Sequence, residues 1–128
     1  MPNNSSEILQ ASLDAEDALI GSILIESTDG TRGAINQVAG VIKPADFYTE
    51  MDRDIFSAML SCPLPPHQIN TAHQMLADNT LGTGSISHMS FCISITPCSL
   101  DYLDYAEAVK RYSEIRTGKK RIIYKGAV

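Results

Sequence analysis

Tryptophan is absent from this chain, and aromatic residues make up only 6 % of it. A β-sandwich usually fills its core with aromatic and β-branched side chains, so the scarcity argues for packed helices instead. Cysteine is sparse and odd in number, at Cys62, Cys92 and Cys98. Met1–Gln10 is polar and holds no apolar stretch. Neither a disulfide framework nor a secretory leader is therefore expected. No apolar run approaches the roughly 20 residues that a membrane-spanning helix needs. These absences predict a protein of a reducing, cytoplasmic compartment. At 128 residues, one domain with its own core is expected.

Basic charge is also missing from most of the chain. Residues 1–109 carry three basic side chains against 14 acidic ones, whereas residues 110–128 carry seven against one. An acidic body is a poor surface for nucleic acid, because phosphate contacts need Lys and Arg. No direct nucleic-acid site is evident. The basic end reads as a solvated helix end, or as a contact for an acidic partner or phosphates.

Motifs that carry chemistry are incomplete. Gly82-Thr-Gly-Ser85 has the look of a phosphate loop. It lacks the Lys that reaches the phosphates and the strand that would precede it. Gly118-Lys-Lys120 has no glycine at the required distance upstream. Structural zinc usually brings paired ligands two to four residues apart. Cys92 and Cys98 are separated by five residues that include Pro97, and His67 and His73 leave a helix in different directions. The thiols then read as small buried hydrophobes. Asp52 and Asp54 diverge on a helix, and Asp101 and Asp104 sit where acids favour a helix start. No catalytic, cofactor-binding or metal-binding residue is predicted.

What is present is helical periodicity, strongest around Lys43–Leu60, where Pro44 prevents an earlier helix from continuing. Asp46 is the expected cap. Met51, Ile55, Ala58 and Met59 then recur at spacings of three and four, with Glu50, Asp52, Arg53 and Asp54 on the opposite face. Phe47 and Tyr48, at the entrance, read as core anchors.

The rest of the chain follows the same logic. Residues 1–11 are polar and predicted to be a disordered tail. A first helix is expected over about Leu13–Glu26, capped by Ser12 or Asp14, with Leu19 and Ile23 inward. Its small residues Ala18, Gly21 and Ser22 predict that another helix packs closely there. A second helix is expected over about Thr31–Val41. Three prolines within Cys62–His67 end the third helix. A fourth is expected over about Asn70–Asp78, with Met75 and Leu76 inward, and a fifth over about Ile86–Ile95. The sixth follows Ser99 or Asp101 and carries Tyr102, Tyr105, Ala106, Val109 and Tyr112 at helical spacing. Beyond Arg116 the pattern weakens, since Gly118 disfavours helix by about 1 kcal/mol relative to Ala.

Taken in order, several of these segments resemble one family. They are Leu13-Asp-Ala-Glu16, Ala18-Leu-Ile-Gly-Ser-Ile-Leu-Ile25, Ile42-Lys-Pro-Ala-Asp-Phe-Tyr48, Asp52-Arg53 with Ile55-Phe56, and Pro97 followed by Tyr105-Ala106, Val109 and Arg116. This order is similar to the N-terminal domain of replicative DNA helicases of the DnaB family, over about residues 12–116. Asp52 stands where that family usually has His.

The resemblance implies an all-α fold: a small orthogonal helical bundle followed by a C-terminal helical hairpin. It implies a non-catalytic collar domain of an ATP-dependent hexameric helicase. Protomers would pair through the hairpin, and a primase and a helicase loader would dock on the collar. Residues 117–128 would begin a basic linker to a motor domain, which would hold ATP and magnesium. Tyr102, Tyr105, Val109 and Tyr112 then become the expected self-association face, because tyrosine suits interfaces that are apolar at one end and wet at the other. The structural core is expected to include Leu19, Ile23, Phe47, Tyr48, Ile55 and Met59. The alternative is a free-standing all-α adaptor of phage or plasmid type that binds a primase or loader.

Overall fold

The computed structural model describes residues 5–118, so residues 1–4 of the expected tail and the basic segment from Lys119 onward lie outside the described residues. Among the described residues every regular element is helical. The α-helices are α1 (Ser5–Glu26), α2 (Gly33–Ala39), α3 (Glu50–Ser61), α4 (Gln68–Ala77), α5 (Ser85–Ile95) and α6 (Tyr102–Arg116). Short 3-10 turns lie at Ser27–Asp29, Pro44–Asp46 and Ser99–Asp101. No helix among the described residues is long and apolar enough to cross a membrane.

Everything leans on α1. Its residues from Ala18 to Leu24 are all buried, because α5 and α6 lie along it and α3 crosses it. A helix enclosed in this way has no polar face over its buried length. The close approach predicted from its small residues is found at Gly21. A Cβ added there would stand 2.6 Å from the carbonyl carbon of Cys92 on α5. α5 and α6, joined by the Ser99–Asp101 turn, form the C-terminal pair.

Two starts differ from expectation. α1 begins at Ser5 rather than near Leu13, because Ile8 and Leu9 are half-buried in a groove with Tyr112 and Ile115 of α6. Ser12 and Asp14 are therefore interior to the helix and cap nothing. α3 begins at Glu50, and its cap is Thr49, whose Oγ1 accepts from the Asp52 amide at 3.2 Å. Asp46 instead closes the 3-10 turn before it, where Oδ2 accepts from the Lys43 amide at 2.9 Å. α4 is likewise capped by His67, not by Asn70 or Thr71.

The core gathers Leu19, Ile23, Ile35, Val38, Phe47, Ile55, Phe56, Met59, Met75 and Met89, all buried. Phe47 and Phe56 meet with ring centroids 5.1 Å apart. The α3 C-terminus is closed by Arg32, whose guanidinium donates to the carbonyls of Cys62 and Leu64. The Cys62 carbonyl belongs to the cap residue of α3, and that of Leu64 to the chain just past it.

Five side chains are not where the periodicity put them. Tyr48 is 49 % exposed, although its neighbour Phe47 is buried. Leu76 is exposed beside buried Met75. Cys98 is exposed while Cys62 and Cys92 are buried. Asp52, assigned to the solvent face of α3, is 1 % exposed. Val109, assigned to the self-association face, is fully buried, as is Ala106. Tyr102 and Tyr105 pack half-buried against the core, and Tyr112 lines the groove with Ile8 and Leu9. The three tyrosines thus keep part of their surface outside the core, while Val109 between them is enclosed.

Candidate functional site

The polar groups of interest are those buried where α1 meets its neighbours. Glu16 and Asp17 are consecutive on α1 and open two separate clusters.

Glu16 is fully buried. Its Oε2 accepts from the Tyr48 amide at 2.9 Å and from the Ser12 hydroxyl at 3.4 Å, and Arg116 Nη1 stands 3.8 Å away. Arg116 also donates to Ser12 Oγ at 3.0 Å and to the Asp46 carbonyl at 2.7 Å, while its guanidinium lies 5.4 Å from the Tyr48 ring centroid. From the α3 side, Arg53 donates to the carbonyls of Phe47 and Tyr48 at 3.1 and 2.8 Å. Ser113 of α6 donates to Asp46 at 2.9 Å. The Asp46–Tyr48 segment is thereby tied to α1, α3 and α6 together. Burial pushes the Glu16 carboxyl up to about 7, despite the opposing Tyr48 amide. This arrangement fixes backbone and leaves Glu16 Oε1 buried with no hydrogen-bond partner.

Asp17 faces the other cluster, with Asp52 of α3 and His88 and Cys92 of α5. One ring nitrogen is its hub. His88 Nε2 lies 2.8 Å from Asp52 Oδ1, 3.3 Å from Asp17 Oδ1 and 3.5 Å from Cys92 Sγ. The four ligand-type atoms lie within 4.8 Å of one another. Cys92 and Asp52 are buried, and the His88 and Asp17 side chains are 26 % and 18 % exposed. Hydrogen bonds to Asp17 and Asp52 push His88 up to about 12. Burial raises Asp52, the His88 contact only partly offsetting it. Burial also opposes ionisation of Asp17, but the hydrogen bonds to His88 and Asp52 hold that carboxyl below its ordinary value. Cys92 is pushed up to about 11 by burial. The Asp52 Oδ2 atom is buried with no hydrogen-bond partner. The phenyl ring of Phe91 flanks the imidazole, with centroids 6.2 Å apart.

The remaining histidines take no part. His67 caps α4, and His73 lines an apolar groove between α4 and α5 with Ile69, Leu76 and Ile86. The sequence reading missed Asp17, His88 and Cys92 as a group. One signal was available: His88 and Cys92 are four apart within a stretch predicted to be helical, so they share a face. Nothing local in the sequence points to Asp17 or Asp52.

The family model described as DnaB-like helicase N terminal domain matches residues 8–111. Among solved structures, the chain is similar to the N-terminal domain of DnaB helicase from Mycobacterium tuberculosis. The TM-score is 0.72 at 23 % identity, over 81 % of this chain and 75 % of that one. At that identity the likeness is one of fold. No curated protein matches the chain.

Proposed function

Because the chain belongs to the family of DnaB-like helicase N-terminal domains, we propose that it is the non-catalytic collar of a hexameric replicative helicase, where it joins copies of the helicase and offers a primase its docking surface. The family match over residues 8–111 carries this reading. ATP and magnesium belong to the motor domain of the same helicase.

Apolar side chains left outside the core support an adhesive role. Ile69, Leu76 and Ile86 are each more than half exposed along the α4–α5 groove, and Leu100 and Leu103 are exposed at the turn into α6. Exposed apolar residues gathered on one surface mark contact sites. Pairing of protomers uses the partly exposed tyrosines of α6 together with the exposed Leu100 and Leu103 at its start.

Sedimentation of the purified chain tests the pairing. A concentration-dependent dimer is expected, weakened when Leu100 and Leu103 are both changed to Asp at unchanged helical content. A monomer at every concentration up to about millimolar, where a contact of about 4 kcal/mol would be half formed, overturns it. Titration with the primase of the same replisome tests the docking, and an absence of binding overturns that part. The chain alone is expected to turn over no ATP with or without single-stranded DNA, and measurable turnover contradicts the collar assignment.

A further inference from the structure

We propose that Asp17, Asp52, His88 and Cys92 bind one zinc ion, which clamps α1, α3 and α5 together. His88 Nε2 carries at most one proton, which can be aimed at one acceptor. Two carboxylate oxygens face it, Asp52 Oδ1 at 2.8 Å and Asp17 Oδ1 at 3.3 Å, and the Cys92 thiol lies at 3.5 Å. A metal ion placed among them, with the thiol deprotonated, bonds to all four groups at once.

The distances from His88 Nε2 fit such an ion, and the other separations are no more than 4.8 Å. Zinc bonds of about 2.0–2.1 Å to nitrogen, 2.0–2.2 Å to oxygen and 2.3 Å to sulfur, set at tetrahedral angles, give N–O edges of about 3.3 Å and N–S edges of about 3.5 Å. The Asp17 and Cys92 edges already have these lengths. The Asp52 edge is at hydrogen-bond length and opens by about half an ångström when the metal replaces the proton. A second observation points the same way. Asp52 is 1 % exposed, and its Oδ2 has no partner. A buried carboxylate in that condition calls for a cation.

The donor set selects the class of metal. Magnesium and calcium take oxygen ligands, whereas one imidazole, one thiolate and two carboxylates suit a borderline ion such as zinc. Four protein ligands close the coordination sphere, which is the pattern of a structural site and not of a catalytic one. The ion enters past His88 and Asp17, the two partly exposed members. On binding, the thiol and the imidazolium each release a proton to solvent. The ligands come from helices far apart in the chain, so the metal links segments that no local interaction joins. None of this depends on the helicase reading.

The test uses the full chain without a histidine tag, reduced and freed of metal by a chelator, then titrated with Zn²⁺ and, as a spectroscopic probe, Co²⁺. One equivalent of either metal is expected. Cobalt should show the intense visible bands of four-coordination and a thiolate charge-transfer band, and zinc should raise the melting temperature. Cys92→Ser should lose the charge-transfer band and weaken binding at least tenfold. Asp17→Asn, at a partly exposed position that tolerates an isostere, should also weaken it at least tenfold. Cys62→Ser, Cys98→Ser and His67→Ala should bind as the parent chain does. The proposal fails if the folded parent chain takes up no metal. It also fails if the cobalt spectrum and affinity are unchanged in a folded Cys92→Ser or Asp17→Asn variant.

Discussion

The clusters opened by Glu16 and Asp17 are neighbours on one helix, yet their chemistry is opposite. Around Glu16, donors converge on a single oxygen: the Tyr48 amide, the Ser12 hydroxyl and the Arg116 guanidinium. Around Asp17, two carboxylate oxygens and a thiol converge on a single nitrogen of His88. The first holds the Asp46–Tyr48 segment in place, although Glu16 Oε1, like Asp52 Oδ2, is buried without a hydrogen-bond partner. The second gathers an imidazole, a thiol and two carboxylates, groups that a metal ion can bind together. Burial alone does not separate them, since both include a carboxyl that is almost fully enclosed. The side-chain types do, since only the second cluster brings an imidazole and a thiol to its carboxylates.

The largest expected effect breaks the Glu16 side. Phe47 is buried between Asp46 and Tyr48, and its ring meets Phe56, so it anchors the segment that the donors around Glu16 hold. Phe47→Ala should cost about 3–5 kcal/mol, as truncation of a buried phenylalanine usually does. Denaturant unfolding checks this, and a midpoint like that of the parent chain would show that the segment does not depend on its anchor.

Next in size is a break on the Asp17 side. Gly21→Ala raises helix propensity by about 1 kcal/mol, but the new Cβ would stand 2.6 Å from the Cys92 carbonyl carbon, where backbone must move. Overpacking of this kind costs about 1–3 kcal/mol or more, so the net sign is destabilising. The variant also pushes Cys92 and His88 away from Asp17. Thermal unfolding reads the first effect, and a melting temperature above that of the parent would contradict it.

The third prediction sharpens the comparison by separating charge from hydrogen bonding. Glu16→Gln keeps an oxygen for the Tyr48 amide and removes a charge that burial disfavours, so stability should change by less than about 1 kcal/mol. Glu16→Leu leaves that amide, Ser12 and Arg116 without their acceptor and should cost about 1–3 kcal/mol. Equal losses in the two variants would mean that the charge, not the acceptor, holds the cluster.

The order and type of the helices were legible because apolar spacing, prolines and glycines act locally. Pro44, Pro63–Pro66 and Pro97 mark the breaks, and Ile55, Ala58 and Met59 repeat on one face. The family resemblance was legible in the same segments, and Arg53 shows why one of them is a motif: it folds back onto the carbonyls of Phe47 and Tyr48. What periodicity could not show was burial of polar groups. Asp52 looks like a solvent-facing acid until α5 places His88 over it. That burial comes from long-range packing, which leaves no trace in local spacing.

The smallest expected effect concerns Tyr48, which the sequence groups with Phe47 and the structure separates from it. Its ring is 49 % exposed and its polar neighbour is the Arg116 guanidinium, 5.4 Å from the ring centroid. An exposed cation–π contact is worth about 0.5–1 kcal/mol. Tyr48→Ala removes that contact and little else, because the bond to Glu16 comes from the backbone amide, which alanine retains. Arg116 also keeps its bonds to Ser12 Oγ and the Asp46 carbonyl. The stability loss should therefore be no more than about 1 kcal/mol, well below that of Phe47→Ala next to it. Chemical denaturation of the two variants side by side measures the contrast. A loss for Tyr48→Ala as large as that for Phe47→Ala would mean that the ring is packed in solution, and that the Glu16 cluster includes a side chain placed here at its rim.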